Sequence, residues 1–430
     1  MASLIQGDWT HRRGDRGGRR VVDADIQRPR PKVAWSWRPE HGGHVDQVRI
    51  AGQHVLIATM MPRDPRAPAW EHAVLYALEA RSGVEVARRV LPDPVPVAAM
   101  VVEAGILHVV ATRRGEPIFW YALGAADLVP RHRRVVAVSG GHDDVLEAWA
   151  TPDGGLWLEL ETPPASEGIP ILAYALAGDD GGAPRGVWQQ ASSADTHAIS
   201  RDACIGGASL YAPVDGRWSS EPSPPALSRI QAGSGEDRGW VQATLVGPRA
   251  QIHAMGGASL VSAVVLAEDP ERSDRARVEA FAVDPQSGAL AWRALGDRIE
   301  VNPRVGEGAR VAQRPNGEVL FQSLGADGAP CSPLLCAHPD GKIDSFALGT
   351  RSRYALDAAL GDTVLAHRCG KRGHVEVGGF AIDASGRLLG RRAALRWNID
   401  AGDLGGAPTV YAGAGSIVVR GARGVASVVL

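Results

Sequence analysis

Short apolar or alternating runs, separated by turns rich in glycine, proline and aspartate, fill this chain. No segment sustains a helical period with caps at its ends. Alternation over a few residues between turn signals is the mark of a half-buried strand. Val45–Ile50, the turn Ala51-Gly52-Gln53 and His54–Thr59 read as two such strands. Leu146–Ala150 with Leu156–Leu160 across Pro152-Asp153-Gly154-Gly155, and Ala309–Gln313 with Glu318–Gln322 across Pro315-Asn316-Gly317, repeat the plan. After each pair comes an apolar third strand, a glycine turn and a fourth strand that often bears tryptophan, most clearly in Ala280–Trp292.

The third strands fall near residues 76, 121, 174, 229, 281, 336, 380 and 428. A spacing of about 45–55 residues is that of four-stranded β-propeller blades. Eight such strands predict an all-β chain forming a single eight-bladed β-propeller, with seven blades as the alternative. The last stretch supplies three strands, Pro408–Ala412, Ser416–Arg420 and Val425–Leu430. Lys32–Trp37 therefore reads as the missing outer strand, pairing beside Val425–Leu430, closing the last blade and removing an open edge. The expected division is a flexible arm over 1–31 and a propeller over 32–430.

Composition agrees with this reading. The 430 residues are 45% hydrophobic and 22% charged, and 52 glycines and 29 prolines spread along the chain suit many tight turns. A formal net charge of −2 gives no argument for nucleic acid or an anionic membrane surface. The basic, glycine-rich stretch His11–Arg20 reads as a solvated arm. Cys204, Cys331, Cys336 and Cys369 form no CxxC pair and have no histidine at zinc-finger spacing, so small buried hydrophobes are expected. With no apolar leader and no long apolar run, the expected location is the cytoplasm.

Ala282-x-Asp284-x-x-Ser287-Gly288-x-x-x-Trp292 resembles the blade motif of the pyrroloquinoline-quinone-like (quinoprotein-like) propellers. In that motif the aspartate accepts hydrogen bonds from turn amides, glycine takes positive φ and the aromatic packs between sheets. Ala77-x-Glu79-x-x-Ser82-Gly83 keeps the pattern but has Ala87 in the tryptophan position, and Ala381-x-Asp383-x-Ser385-Gly386 keeps it with one residue fewer. The resemblance implies the fold. Exported quinoprotein dehydrogenases of this fold use the quinone and calcium; here adjacent paired cysteines and a matching metal-binding set are missing, so no cofactor is expected. Outer-membrane-assembly lipoproteins share the plan without an enzyme activity, and from them the scaffold idea carries over.

No nucleophile elbow, phosphate loop or His-Glu-x-x-His run is present. Three polar clusters precede expected inner strands: His44 and Asp46; His142, Asp143 and Asp144; and Asp195 with His197. Imidazoles and carboxylates converging on one rim could hold a polar ligand, or a metal through His44, His142 and His197; each could equally cap its own turn. No metal is assigned. Long insertions are expected at Ala177–Gly186, Arg217–Pro225 and Ala267–Arg277, and Trp218 in the second could anchor a partner. Trp149, Trp157, Trp188 and Trp240 read as packing between blades. The expected function is a non-catalytic protein-interaction scaffold or regulatory subunit of a bacterial signalling or defence assembly, with proteins as partners and neither nucleic acid nor membrane. The alternatives are an enzyme or small-molecule or metal sensor using the central channel, and a protease-cleaved regulator that sequesters a partner.

Overall fold

A computed structural model describes residues 21–22 and 31–429, apart from short interior segments, the longest being 137–143, 162–170, 177–185, 190–202, 215–223 and 382–391. Apart from one 3-10 turn at Glu40–Gly42, every regular element among the described residues is a β-strand. The strands fall into antiparallel runs of four, called units here in chain order. Unit 1 is His44–Ala51, His54–Asp64, Ala67–Glu79 and Glu85–Val90. Unit 2 is Val97–Glu103, Ile106–Ala111, Ile118–Gly124 and Pro130–Val136. Unit 3 is Asp144–Ala150, Gly155–Glu161, Ile171–Leu176 and Gly186–Gln189. Unit 4 is Cys204–Gly206, Ser209–Val214, Ala226–Gln231 and Asp237–Gln242. Unit 5 is Gln251–Met255, Val261–Glu268, Arg275–Val283 and Leu290–Glu300. Unit 6 is Gly306–Gln313, Val319–Gly325, Leu334–Ala337 and Ile343–Leu348. Unit 7 is Ala355–Leu360, Thr363–Cys369, His374–Ala381 and Arg392–Asp403. Unit 8 is Thr409–Gly413, Ser416–Gly421 and Gly424–Val429, with Lys32–Trp37 beside the last of these.

The two chain ends meet in that sheet: Val33 stands opposite Val428 and Trp37 opposite Val425. Trp35 donates its indole N–H to the carbonyl of Ala80 at 2.9 Å, tying unit 8 to unit 1. Units 6 and 7 are joined by a short parallel bridge, Ala347 with Arg392 and Leu348 with Ala393. Val21–Val22, within the stretch read as a free arm, adds a two-residue parallel strand beside Ala359 and Leu360.

The turn after the third strand shows how sequence dictates geometry. In unit 5, Asp284 accepts from the backbone of Gln286 at 3.0 Å, and from the backbone and hydroxyl of Ser287 at 2.7 and 2.8 Å. Gly288 sits at φ +75°. The same backbone bonds recur at Glu79–Val84 and at Gly124–Val129. In the latter, Leu128 takes the glycine's place at φ +53°. A left-handed leucine costs about 1–2 kcal/mol, and burial of that side chain in the core between units 1 and 2 offsets it. These turns also receive neighbours: Arg229 of unit 4 donates to the carbonyls of Ser287, at 2.8 Å, and Gln286.

Each sheet is apolar on both faces, so each unit packs on two others. Separate cores join units 1 and 2, 2 and 3, 3 and 4, 4 and 5, 5 and 6, and 6 and 7, and one further core joins units 7, 8 and 1. Trp157 is fully buried, Trp149 is 5% exposed, and both lie between units 3 and 4 as the pattern predicts. Trp240 departs from the expectation: it lies on an outer strand and is 45% exposed, because an outermost strand lacks a neighbour on one edge and packs only partly. The insertion expected at Ala267–Arg277 is sheet at both ends, where Ala267 pairs with Arg277 and Glu268 with Ala276, and 270 and 272–274 lie outside the described residues. Those at 177–186 and 217–225 lie almost wholly outside the described residues, as does the side chain of Trp188.

Candidate functional site

The first strand of a unit is its innermost, and in units 1, 2, 3, 6 and 7 that strand carries a β-bulge near its start. Unit 1 shifts register between Val45 and Gln47, unit 2 between Val97 and Ala99, unit 3 between Val145 and Glu147, unit 6 between Gly306 and Gly308, and unit 7 between Leu356 and Ala358. A bulge inserts one residue that faces no partner and re-aims its side chain. In units 1 and 7 that residue is an aspartate, Asp46 and Asp357.

Each bulged aspartate meets a histidine. In unit 1, His44 Nδ1 lies 3.0 Å from Asp46 Oδ1, with the imidazole side chain 47% and the carboxylate side chain 23% exposed. Asp46 Oδ2 is buried and has no hydrogen-bond partner among the described residues. Burial raises the Asp46 carboxyl above its ordinary range, overriding the opposite pull of His44 and of Arg420 in unit 8. In unit 7, His367 Nδ1 lies 2.9 and 2.8 Å from the two oxygens of Asp357. Arg310 reaches over from unit 6, pairs with Asp357 and donates to the carbonyl of Leu356 at 3.0 Å. Asp357 and His367 are buried, so a charge there requires the partner that Arg310 supplies.

Other polar groups are turned to neighbouring units. On the inner strand of unit 1, Gln47 donates to the carbonyl of Ala98 at 3.3 Å, and Arg49 Nε to that of Met100 at 2.6 Å, bridging units 1 and 2. On the second strand of unit 6, Gln322 Oε1 accepts from Leu356 N–H at 2.8 Å while its Nε2 donates to the carbonyl of Tyr354 at 3.1 Å, bridging units 6 and 7. On the third strand of unit 5, Glu279, fully buried, accepts from Thr244 and Leu245 in the link between units 4 and 5 and forms an ion pair with Arg293.

Of the residues expected to form a rim site, the structure brings together His44 and Asp46, and places them in the inner strand itself rather than in the connection before it. Asp144 opens the inner strand of unit 3, opposite Glu161. The side chain of Asp144, together with His142, Asp143, Asp195, His197 and Trp218, lies outside the described residues. Arg310, Asp357 and His367 were not picked out by motif. Their signal was available: a lone carboxylate in the apolar run Ala355–Leu360 and a lone histidine in Thr363–His367 demand partners. The half-open pair at His44 and Asp46 is the arrangement suited to hold a polar ligand or pass a proton. The closed triad at Arg310, Asp357 and His367 is suited to fastening two sheets. No helix among the described residues is long and apolar enough to cross a membrane.

No protein-family model and no curated protein matches the sequence. Solved structures do match. A quinohemoprotein alcohol dehydrogenase from Comamonas testosteroni aligns with 99% of this chain and 81% of its own, at TM-score 0.54 and 11% identity. A europium-containing methanol dehydrogenase aligns over 98% of both chains at TM-score 0.55 and 10% identity. BamB from Moraxella catarrhalis aligns over 93% of this chain and 99% of its own at TM-score 0.54 and 11% identity. At such identities the likeness is one of fold: the chain has a β-propeller fold of the pyrroloquinoline-quinone-like kind.

Proposed function

We propose that the units form one ring of eight blades, sealed by Lys32–Trp37 in the last, and that the protein is a non-catalytic scaffold holding a protein partner on this ring. The unbroken succession of cores from unit 1 through unit 8 and back to unit 1 supports the ring. Pairing of Val33 with Val428 supports its closure.

One observation carries the scaffold reading: the outer edge of unit 1 is open and sets exposed valines among charged residues. Glu85–Val90 ends its sheet, and Val84, Val86 and Val90 are 58%, 50% and 52% exposed. An edge strand offers unpaired backbone N–H and C=O groups, and β-branched side chains beside them favour addition of a partner's extended segment. On the inner strands, by contrast, Gln47, Arg49 and Arg310 are turned to neighbouring units. The test is affinity purification from the source organism, wild type against Val86→Glu/Val90→Glu. A partner recovered at stoichiometric level by the wild type, reduced about tenfold in the variant, and shielding the amides of 85–90 from hydrogen exchange is the expected result. Equal recovery by both chains overturns the reading.

The half-open pair of His44 and Asp46 favours a second reading, a small-molecule site at the inner strands. On that reading Asp46→Asn abolishes ligand binding or turnover and leaves partner capture intact.

A further inference from the structure

Unit 6 holds a cluster that neither the edge nor the bulge sites use. A ligand atom from each of Glu318, Cys336 and His338 lies within 4.8 Å of the other two. Strand alternation puts them together: Cys336 and His338 are two apart and share a face, and Val319 pairs with Ala337, which sets Glu318 beside His338. Glu318 is 6%, Cys336 0% and His338 9% exposed. Two tight turns fix the cluster's end of the sheet. Arg314–Glu318 closes through Gly317 at φ +84°, and His338–Lys342 through Gly341 at φ +91°.

We propose that Glu318, Cys336 and His338 bind a zinc ion. Nδ1 of His338 lies 3.0 Å from Oε1 of Glu318, close to the roughly 3.3 Å that separates two tetrahedral ligand atoms at zinc bond lengths of about 2.0–2.1 Å. The cysteine thiolate supplies the soft ligand. A charged group stands near each remaining atom. Arg314 is bonded to Oε2 of Glu318, leaving Oε1 for the ion. Nε2 of His338 lies 3.2 Å from a carboxylate oxygen of Asp344, the carboxylate–histidine arrangement that orients a metal-bound imidazole. The charges match: two on zinc and one on Arg314 against the Cys336 thiolate, Glu318 and Asp344. The fourth position is left to water. Binding forms a Zn–S bond and releases the Cys336 thiol proton to solvent, with no oxidation or reduction. Because the thiol gives up its proton on binding, zinc affinity rises with pH.

The experiment is titration of chelator-treated full-length chain with cobalt chloride and then zinc chloride, with metal content measured after desalting. The expected result is about one equivalent of metal per chain, a thiolate-to-cobalt charge-transfer band in the near ultraviolet that zinc abolishes, and a raised Tm in zinc. Cys336→Ser removes the band, and His338→Gln weakens binding at least about tenfold. Cys369→Ser, an exposed thiol on unit 7, leaves both unchanged. Wild-type chain without the charge-transfer band, or retaining less than about a tenth of an equivalent of zinc, overturns the assignment. That readout comes from the native sequence and does not depend on whether a variant folds. It is also indifferent to partner capture, so this site and the edge of unit 1 fail or stand separately.

Discussion

The bulges of units 1 and 7 each hold an aspartate beside a histidine, from the same strand in unit 1 and from the next strand in unit 7, and give the two pairs opposite circumstances. At Asp357 the histidine and Arg310 enclose the carboxylate, and Asp357 and His367 are hidden from water. At Asp46 the cationic neighbour is Arg420, felt at longer range, the imidazole is half exposed, and one carboxylate oxygen is left over. The backbone device is shared, and what differs is whether the next unit contributes a charge. Where it does, the pair becomes a fastening; where it does not, a buried carboxylate oxygen is left without a partner among the described residues.

Changes at the two bulges should therefore diverge. Asp357→Asn should be the most damaging, destabilising by about 3–5 kcal/mol in denaturant unfolding because Arg310 is left without its counter-charge. Arg310→Met/Asp357→Leu should recover about 1–3 kcal/mol of that loss, since an apolar pair removes both charges together. Equal damage in the single and the double variant would mean the triad acts by shape and not by charge. Asp46→Asn should instead stabilise at neutral pH by no more than about 1 kcal/mol. Its folded pKa is raised, so the folded state holds the proton more tightly than the unfolded one. The resulting stabilisation is complete below the unfolded pKa and lost as pH rises through the folded value. The gain from Asp46→Asn should accordingly vanish when unfolding is followed at pH 3. His44→Gln, at an exposed position, should change Tm least, within about 0.5 kcal/mol of stability.

Much of the repeat was legible because its signals are local. Each of the eight anticipated third strands is the third strand of its unit, since an apolar run bounded by turn residues fixes a strand without long-range information. The Asp284–Gly288 turn was readable for the same reason, its geometry residing in one side chain and one φ angle. Leu128 shows the limit. It forms the same turn against its propensity because a core several strands away rewards the burial, and no window of sequence holds that core. Trp240 shows another: periodicity identifies a strand but not whether that strand is the outermost. The aspartate–histidine–arginine triad joins residues 47 and 57 positions apart across two units, Arg310 with Asp357 and with His367. Only the packing of unit 6 on unit 7 brings them together. Cys336-x-His338 had a legible spacing for one face of a strand, while Glu318, which completes it, arrives through the register of the neighbouring strand.

The pairing of Lys32–Trp37 with Gly424–Val429 has a consequence for biosynthesis. A ribosome releases Trp35 long before Ser427, its partner across the sheet, exists. Until then that tryptophan-bearing strand has no sheet to join, and only its contacts with unit 1, at Ala80 and Gly83, are there to hold it. Nascent chains stalled just before Gly424 should thus be the ones chaperones hold most firmly, and a circular permutant joining the two termini, with new ends opened between units 3 and 4, should shorten that interval.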